Sequence, residues 1–119
     1  MPNNYVDQLR LKMDQYVHFV YAVSKVFPKD ELYEAISQLR RAALSVALNF
    51  TEGYARRTRA AKRNFWEISF GSLKESIYLV YFSLMEKYLS QEDYDKANQL
   101  AEEIGAMLWR VLQPLADNA

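Results

Sequence analysis

The chain has 119 residues, half of them hydrophobic, no cysteine and a formal net charge of zero. Such a length holds one domain with a core of moderate size, and the lack of thiols excludes disulfides, thiolate metal sites and cysteine nucleophiles while fitting a cytoplasmic setting. Met1 to Arg10 carries no apolar signal region, and the longest uncharged apolar run, Ile77 to Met85, is far below the roughly 20 residues that span a bilayer, so neither export nor membrane insertion is expected.

Three glycines and three prolines leave few places to turn, which favours long helices on short connections. Val6, Leu9, Met13, Tyr16, Val20 and Phe27 step by threes, fours and one seven, the spacing of a single helical face, and predict a first helix over about residues 4–26. Pro28 breaks it. Asp30 is placed to cap a second helix over about 31–53, with Leu32, Ile36, Leu39, Ala43, Val46 and Phe50 inward and Gly53 as its terminator. Thr58 is a candidate N-cap for a third helix over about 59–89. Ser90-Gln91-Glu92-Asp93 has the form of a capping box before a fourth, over about 91–115, with Ala97, Leu100, Ala101, Ile104, Leu108, Val111 and Leu115 inward. Four amphipathic helices on short links predict an all-α fold, a single up-down-up-down antiparallel bundle over residues 1–119.

The third helix has more apolar surface than one core-facing stripe needs. Trp66, Phe70, Leu73, Ile77, Val80 and Leu84 form the stripe, and Tyr78, Phe82, Met85 and Leu89 fall off it. A four-helix monomer surrounds none of its helices, so these four residues predict an interface between copies of the chain.

Charge is unevenly placed along the chain. Residues 38–63 hold seven basic groups and one acidic, while the segments on either side are net acidic. Arg56, Arg57, Arg59, Lys62 and Arg63 crowd the connection into the third helix, with Tyr54, Phe65 and Trp66 close by in sequence. Guanidinium forks match phosphate oxygens and aromatic rings stack on bases, so this set is the candidate nucleic-acid-binding surface. Arg40 and Arg41 lie beside the core stripe of the second helix and are expected to form structural ion pairs with Glu52 and Glu75. Those two glutamates and the single His18 fall short of the four carboxylates and Glu-x-x-His pairs of a di-iron bundle, so no metal or other cofactor is expected. No phosphate loop, nucleophile elbow or triad is present, and no catalytic residue is expected.

Several short motifs occur in a telling order: Phe27-Pro28, Gln38-Leu39-Arg40-Arg41-Ala42-Ala43, Ser45-Val46, Asn49-Phe50-Thr51-Glu52-Gly53 and Gly71-Ser72-Leu73-Lys74-Glu75. Together they resemble the four-helix-bundle family of proteins encoded by intervening sequences in 23S ribosomal RNA genes. Where the family has V-W-Q-K in its first helix this chain has Leu9-Arg10-Leu11-Lys12, and Asn49-Phe50-Thr51-Glu52-Gly53 stands for N-I-A-E-G. The resemblance implies a bundle that assembles as a ring of five subunits and has no enzymatic activity. By fold alone it also extends to the accessory protein of diversity-generating retroelements, which binds nucleic acid and a reverse transcriptase. The expected function is therefore a non-catalytic homo-oligomer, a homopentamer by this resemblance, that contacts RNA or DNA through its basic turn. The alternative is a protein-binding scaffold whose arginines are merely solvated.

Overall fold

The structure, a computed structural model, describes residues 4–116, and of residues 31–33 the backbone alone. Four α-helices, α1 (Asn4–Ser24), α2 (Ser37–Tyr54), α3 (Arg59–Met85) and α4 (Gln91–Leu112), pack as a bundle. Side-chain pairs along each seam give their directions. Tyr5 bonds the Met107 carbonyl while Lys12 meets Glu103, so α4 descends as α1 rises. Arg10 lies over Tyr54 while Arg40 reaches back to Ser24, which reverses α2 against α1. Trp66 bonds the Phe50 carbonyl and Ser69 that of Val46, reversing α3 against α2. Arg59 bonds the Pro114 carbonyl and Phe70 meets Trp109, reversing α4 against α3. The bundle is thus up-down-up-down, as the helical periodicity predicts. Among the described residues no helix is long and apolar enough to cross a membrane.

The core follows the sequence stripes in α1, α2 and α4: Leu9, Met13, Tyr16 and Val20 meet Leu39, Ala43, Val46 and Phe50, with Ala97, Ala101, Ile104 and Leu108 closing the other side. In α3 the stripe is different. The buried positions are Trp66, Ser69, Leu73, Ser76, Val80 and Ser83, so a serine recurs every seven residues in the core seam. Phe70, Ile77 and Leu84, expected to be central, are half-buried on one flank, and Leu79 and Phe82 are half-buried on the other. The serines can occupy the seam because each hydroxyl has a backbone acceptor: Ser69 bonds Val46 at 2.7 Å, Ser76 bonds Leu73 at 2.7 Å and Ser83 bonds Leu79 at 2.8 Å. Ser76 has spent its proton on Leu73, so the buried Tyr16 hydroxyl, 2.8 Å away, donates to it. Much of the apparent excess of apolar residues in α3 therefore flanks a narrow seam of small ones.

The helix ends depart from expectation in three places. Asp30 does not cap α2; a 3₁₀ turn (Lys29–Glu31) and a π turn (Leu32–Ile36) lead into the helix, and Ile36, already helical, precedes it without a side-chain cap. Gly53 does not terminate α2 either, since the helix continues through Tyr54. A Cβ at Gly53 would lie 2.5 Å from Cδ1 of Trp66, so glycine is there to let the indole lie on the helix and stack on Phe50, ring centroids 4.5 Å apart. α3 stops at Met85 rather than Leu89: the Tyr88 and Lys87 amides turn back to the Ser83 and Leu84 carbonyls, with Lys87 left-handed at φ 66°. The other two caps are as expected, Thr58 accepting from the Ala61 amide and Ser90 from that of Asp93.

Two outcomes follow from this packing. Gly53→Ala should lower stability by about 1–2 kcal/mol net in urea denaturation, because overpacking against Trp66 outweighs the gain in helix propensity. Gly71→Ala, where an added Cβ meets nothing within 4 Å, should instead raise stability by up to about 1 kcal/mol. The second outcome concerns Tyr16. Burial pushes its hydroxyl from 10.0 up to about 12. With the folded value above the unfolded one, the contribution is fully present below pH 10 and fades as pH rises towards 12, by roughly 2–3 kcal/mol. Tyr16→Phe should remove that part of the alkaline pH dependence of unfolding.

Candidate nucleic-acid interface

Antiparallel packing brings the N-termini of α1 and α3 to the same end of the bundle as the C-termini of α2 and α4. The connection from Ala55 to Thr58 crosses that end, anchored on one side by Trp66 stacked on Phe50 and on the other by the bond from Arg59 to the Pro114 carbonyl. The five basic residues expected from sequence are therefore carried on a braced turn. Arg57 is exposed. Arg56 pairs with Glu52 one turn back and lies over the ring of Phe65, 4.9 Å from its centroid. Lys62 stands over Trp66 at 5.5 Å. Arg63, half-buried, continues the set along α3.

The fold adds two arginines that local sequence does not connect to the set. Arg10 of α1 lies 5.0 Å over Tyr54, and Arg110 of α4 lies 6.0 Å over Tyr5, both at this end. Each sits roughly 50 residues from the basic turn in sequence, and the up-down order was the one signal that could have joined them. A guanidinium stacked on a ring keeps its N–H edges available while losing rotamer freedom, which suits it to hold phosphate oxygens. Asp7, Glu52 and Glu67 are interspersed, so the end is basic without being uniformly so.

The expected ion pairs are not formed. Arg40 donates from Nε to Ser24 Oγ at 2.8 Å and from Nη2 to the Tyr21 carbonyl at 3.4 Å, with its guanidinium over the Tyr21 ring. It thereby closes the last turn of α1, where free carbonyls and the helix dipole favour a cation. Arg41 and Glu75 are exposed, and Glu52 is committed to Arg56 on the surface. Both glutamates are on the exposed surface, so neither carboxylate meets Arg40 or Arg41. His18 is exposed, 3.4 Å from Asp14. Among the described residues no three acidic or histidine side chains converge as a metal site would need.

The expected oligomer face is also redrawn. Tyr78 and Met85 are 62% and 57% exposed, and Phe82 is half-buried. Leu89 is only 6% exposed and belongs to the core, because the left-handed turn at Lys87 folds it back onto the bundle instead of extending α3. Tyr81, absent from the sequence expectation, replaces it; its ring lies 6.4 Å from that of Tyr78, a neighbour legible from the three-residue spacing.

A four-helix bundle with no metal cluster among its described residues and a braced, aromatic-backed basic turn at one end defines a class of small helical proteins. Residues 8–110 match the family of 23S rRNA-intervening sequence proteins, and the chain belongs to it. Among solved structures, a protein of unknown function from the S23 ribosomal protein family of Bacteroides thetaiotaomicron is similar, with a TM-score of 0.83 at 18% identity over 92% of this chain and 98% of the other. That likeness is one of fold. No curated protein matches the chain.

Arg40→Ala should cost about 1–2 kcal/mol in chemical denaturation, since it removes charge-assisted bonds to α1. Glu75→Gln should change stability by no more than about 0.5 kcal/mol, as expected of an exposed group.

Proposed function

We propose that the protein is a non-catalytic homo-oligomer that binds the backbone of RNA or DNA through the basic end of its bundle. The observation that supports this is the convergence of Arg10, Arg56, Arg57, Arg59, Lys62, Arg63 and Arg110 on one end, four of them laid over aromatic rings. Stacked cations at a helix N-terminus suit phosphate, whereas a turn that served only solubility would have no need of rings beneath its charges. Few base-specific contacts are expected, because arginines on a turn meet the sugar-phosphate backbone.

Self-association rests on the exposed stripe of Tyr78, Tyr81 and Met85, which lies towards the other end of α3 and leaves the basic end open. A ring of five, the assembly implied by family resemblance, repeats a modest basic patch around one axis. Several subunits on one strand would then neutralise roughly 6–10 phosphates, a range in which affinity falls by about 10³ to 10⁵ between 50 and 200 mM salt. A partner protein of the reverse-transcriptase kind is suggested by fold analogy alone.

The test pairs light scattering with salt-dependent binding. The wild type should exceed the 14.0 kDa of one chain and bind RNA and DNA with steep salt dependence; Arg56, Arg57 and Arg59 changed together to Glu should abolish binding without loss of helicity or assembly. A wild type that binds neither nucleic acid at low salt would turn the reading to a protein scaffold that uses the Tyr78, Tyr81 and Met85 face.

A further inference from the structure

Beside the basic turn, α3 and α4 leave a surface furrow with aromatic walls. Trp109 is 57% exposed, and its ring stands 5.7 Å from that of Phe70 at an angle of 44°. Gly71 and Ala116 line the space next to them, Gln113 borders it, and the open volume is about 420 Å³. Above Gly71 nothing stands within 4 Å of where a Cβ would be. The indole is therefore left in water next to a space large enough for a planar group, although tryptophan is highly buried on average.

The charges around the furrow are ordered along it. Arg59, Arg63, Glu67, Phe70 and Lys74 follow one another by fours and threes on one face of α3. Helical rise puts Arg59 and Arg63 about 6 Å apart and Phe70 about 10 Å further on, so two cations lead from the basic turn towards the rings, with the Glu67 carboxylate between Arg63 and Phe70. Lys74 stands 5.2 Å over Phe70 at the far side. Glu67 borders the furrow and Glu102 lies beyond the rings on the side of Lys74; as carboxylates they only accept hydrogen bonds and suit the amino edges of bases rather than phosphate.

We propose that this furrow is a base-stacking slot for single-stranded nucleic acid. An unstacked base lies against Trp109 and Phe70, and the phosphates on its flank run onto Arg63 and Arg59. A duplex cannot use the slot, because its bases are already stacked on one another and turn only their edges outward. This inference rests on the nucleic-acid reading above and adds a preference for single strands and a contact outside the basic turn.

The chain's two tryptophans separate the possibilities by fluorescence. Trp66 is 5% exposed and bonded to the Phe50 carbonyl, so quenching by a ligand reports Trp109. Titration with single-stranded oligoadenylate of about 12 nucleotides, within the usual span of a single-strand site, should quench the emission; the matching duplex should bind without quenching it. Trp109→Ala should weaken single-strand binding about 5- to 150-fold and leave duplex binding and helicity unchanged, and Trp109→Phe should recover most of the loss. Equal single-strand affinity for wild type and Trp109→Ala, or an equal loss for single strand and duplex, overturns the slot while sparing the basic turn. Quenching that follows protein concentration without nucleic acid also overturns it, since a second copy then covers the furrow. If the wild type binds neither ligand, the nucleic-acid reading itself falls, and the slot with it.

Discussion

The close approach of α2 to α3 governs the rest of the bundle, because small residues, Ala42, Ala43 and Gly53 on one helix and Ser69, Ser76 and Ser83 on the other, alternate with the large ones along their buried faces. Ser45 and Ser72 bond each other at 2.7 Å, Ser69 reaches the Val46 carbonyl, and Gly53 admits the indole of Trp66. Two hydroxyl contacts cross this seam, Ser69 to the Val46 carbonyl and Ser45 to Ser72, and they add directional specificity to its packing. A slip of α3 by a turn would leave those groups buried and unpaired, at a cost of roughly 1–3 kcal/mol each.

That registration carries to the end of the bundle. Trp66 is at once the last large member of the seam, the partner of Phe50 and the surface under Lys62. Packing in the core and the placement of cations at the tip are thus joined in one side chain. The turn from Ala55 to Thr58 spans only the gap that the seam leaves between two helix ends, and it holds its arginines without glycine or proline.

Where the sequence was legible, the physics was periodic. Apolar residues at threes and fours placed α1, α2 and α4 and their buried faces, and hydroxyl caps at Thr58 and Ser90 fixed two helix starts to the residue. Hydrophobicity misled in α3, where the buried residues are partly serines and the bulky ones flank them; a seven-residue repeat of serine was the available sign. Leu89 was misplaced for a different reason: a lysine, with no glycine to announce it, adopts the left-handed turn. Of the basic end, the part local in sequence was readable, while Arg10, Arg110 and Trp109 join it only through the fold. Charge pairing was the least legible, since Arg40 found carbonyl and hydroxyl oxygens on α1 where a carboxylate had been expected.

The connections at the two ends differ in the kind of cation they carry. Arg56 and Arg57 lie in the one between α2 and α3, whereas Lys25, Lys29 and Lys87 lie in the two at the opposite end. An ammonium holds its water tightly, and a delocalised guanidinium holds it loosely. The molecule is therefore polarised in hydration along its length: one end keeps its water shell, and the other gives it up at low cost when a surface approaches.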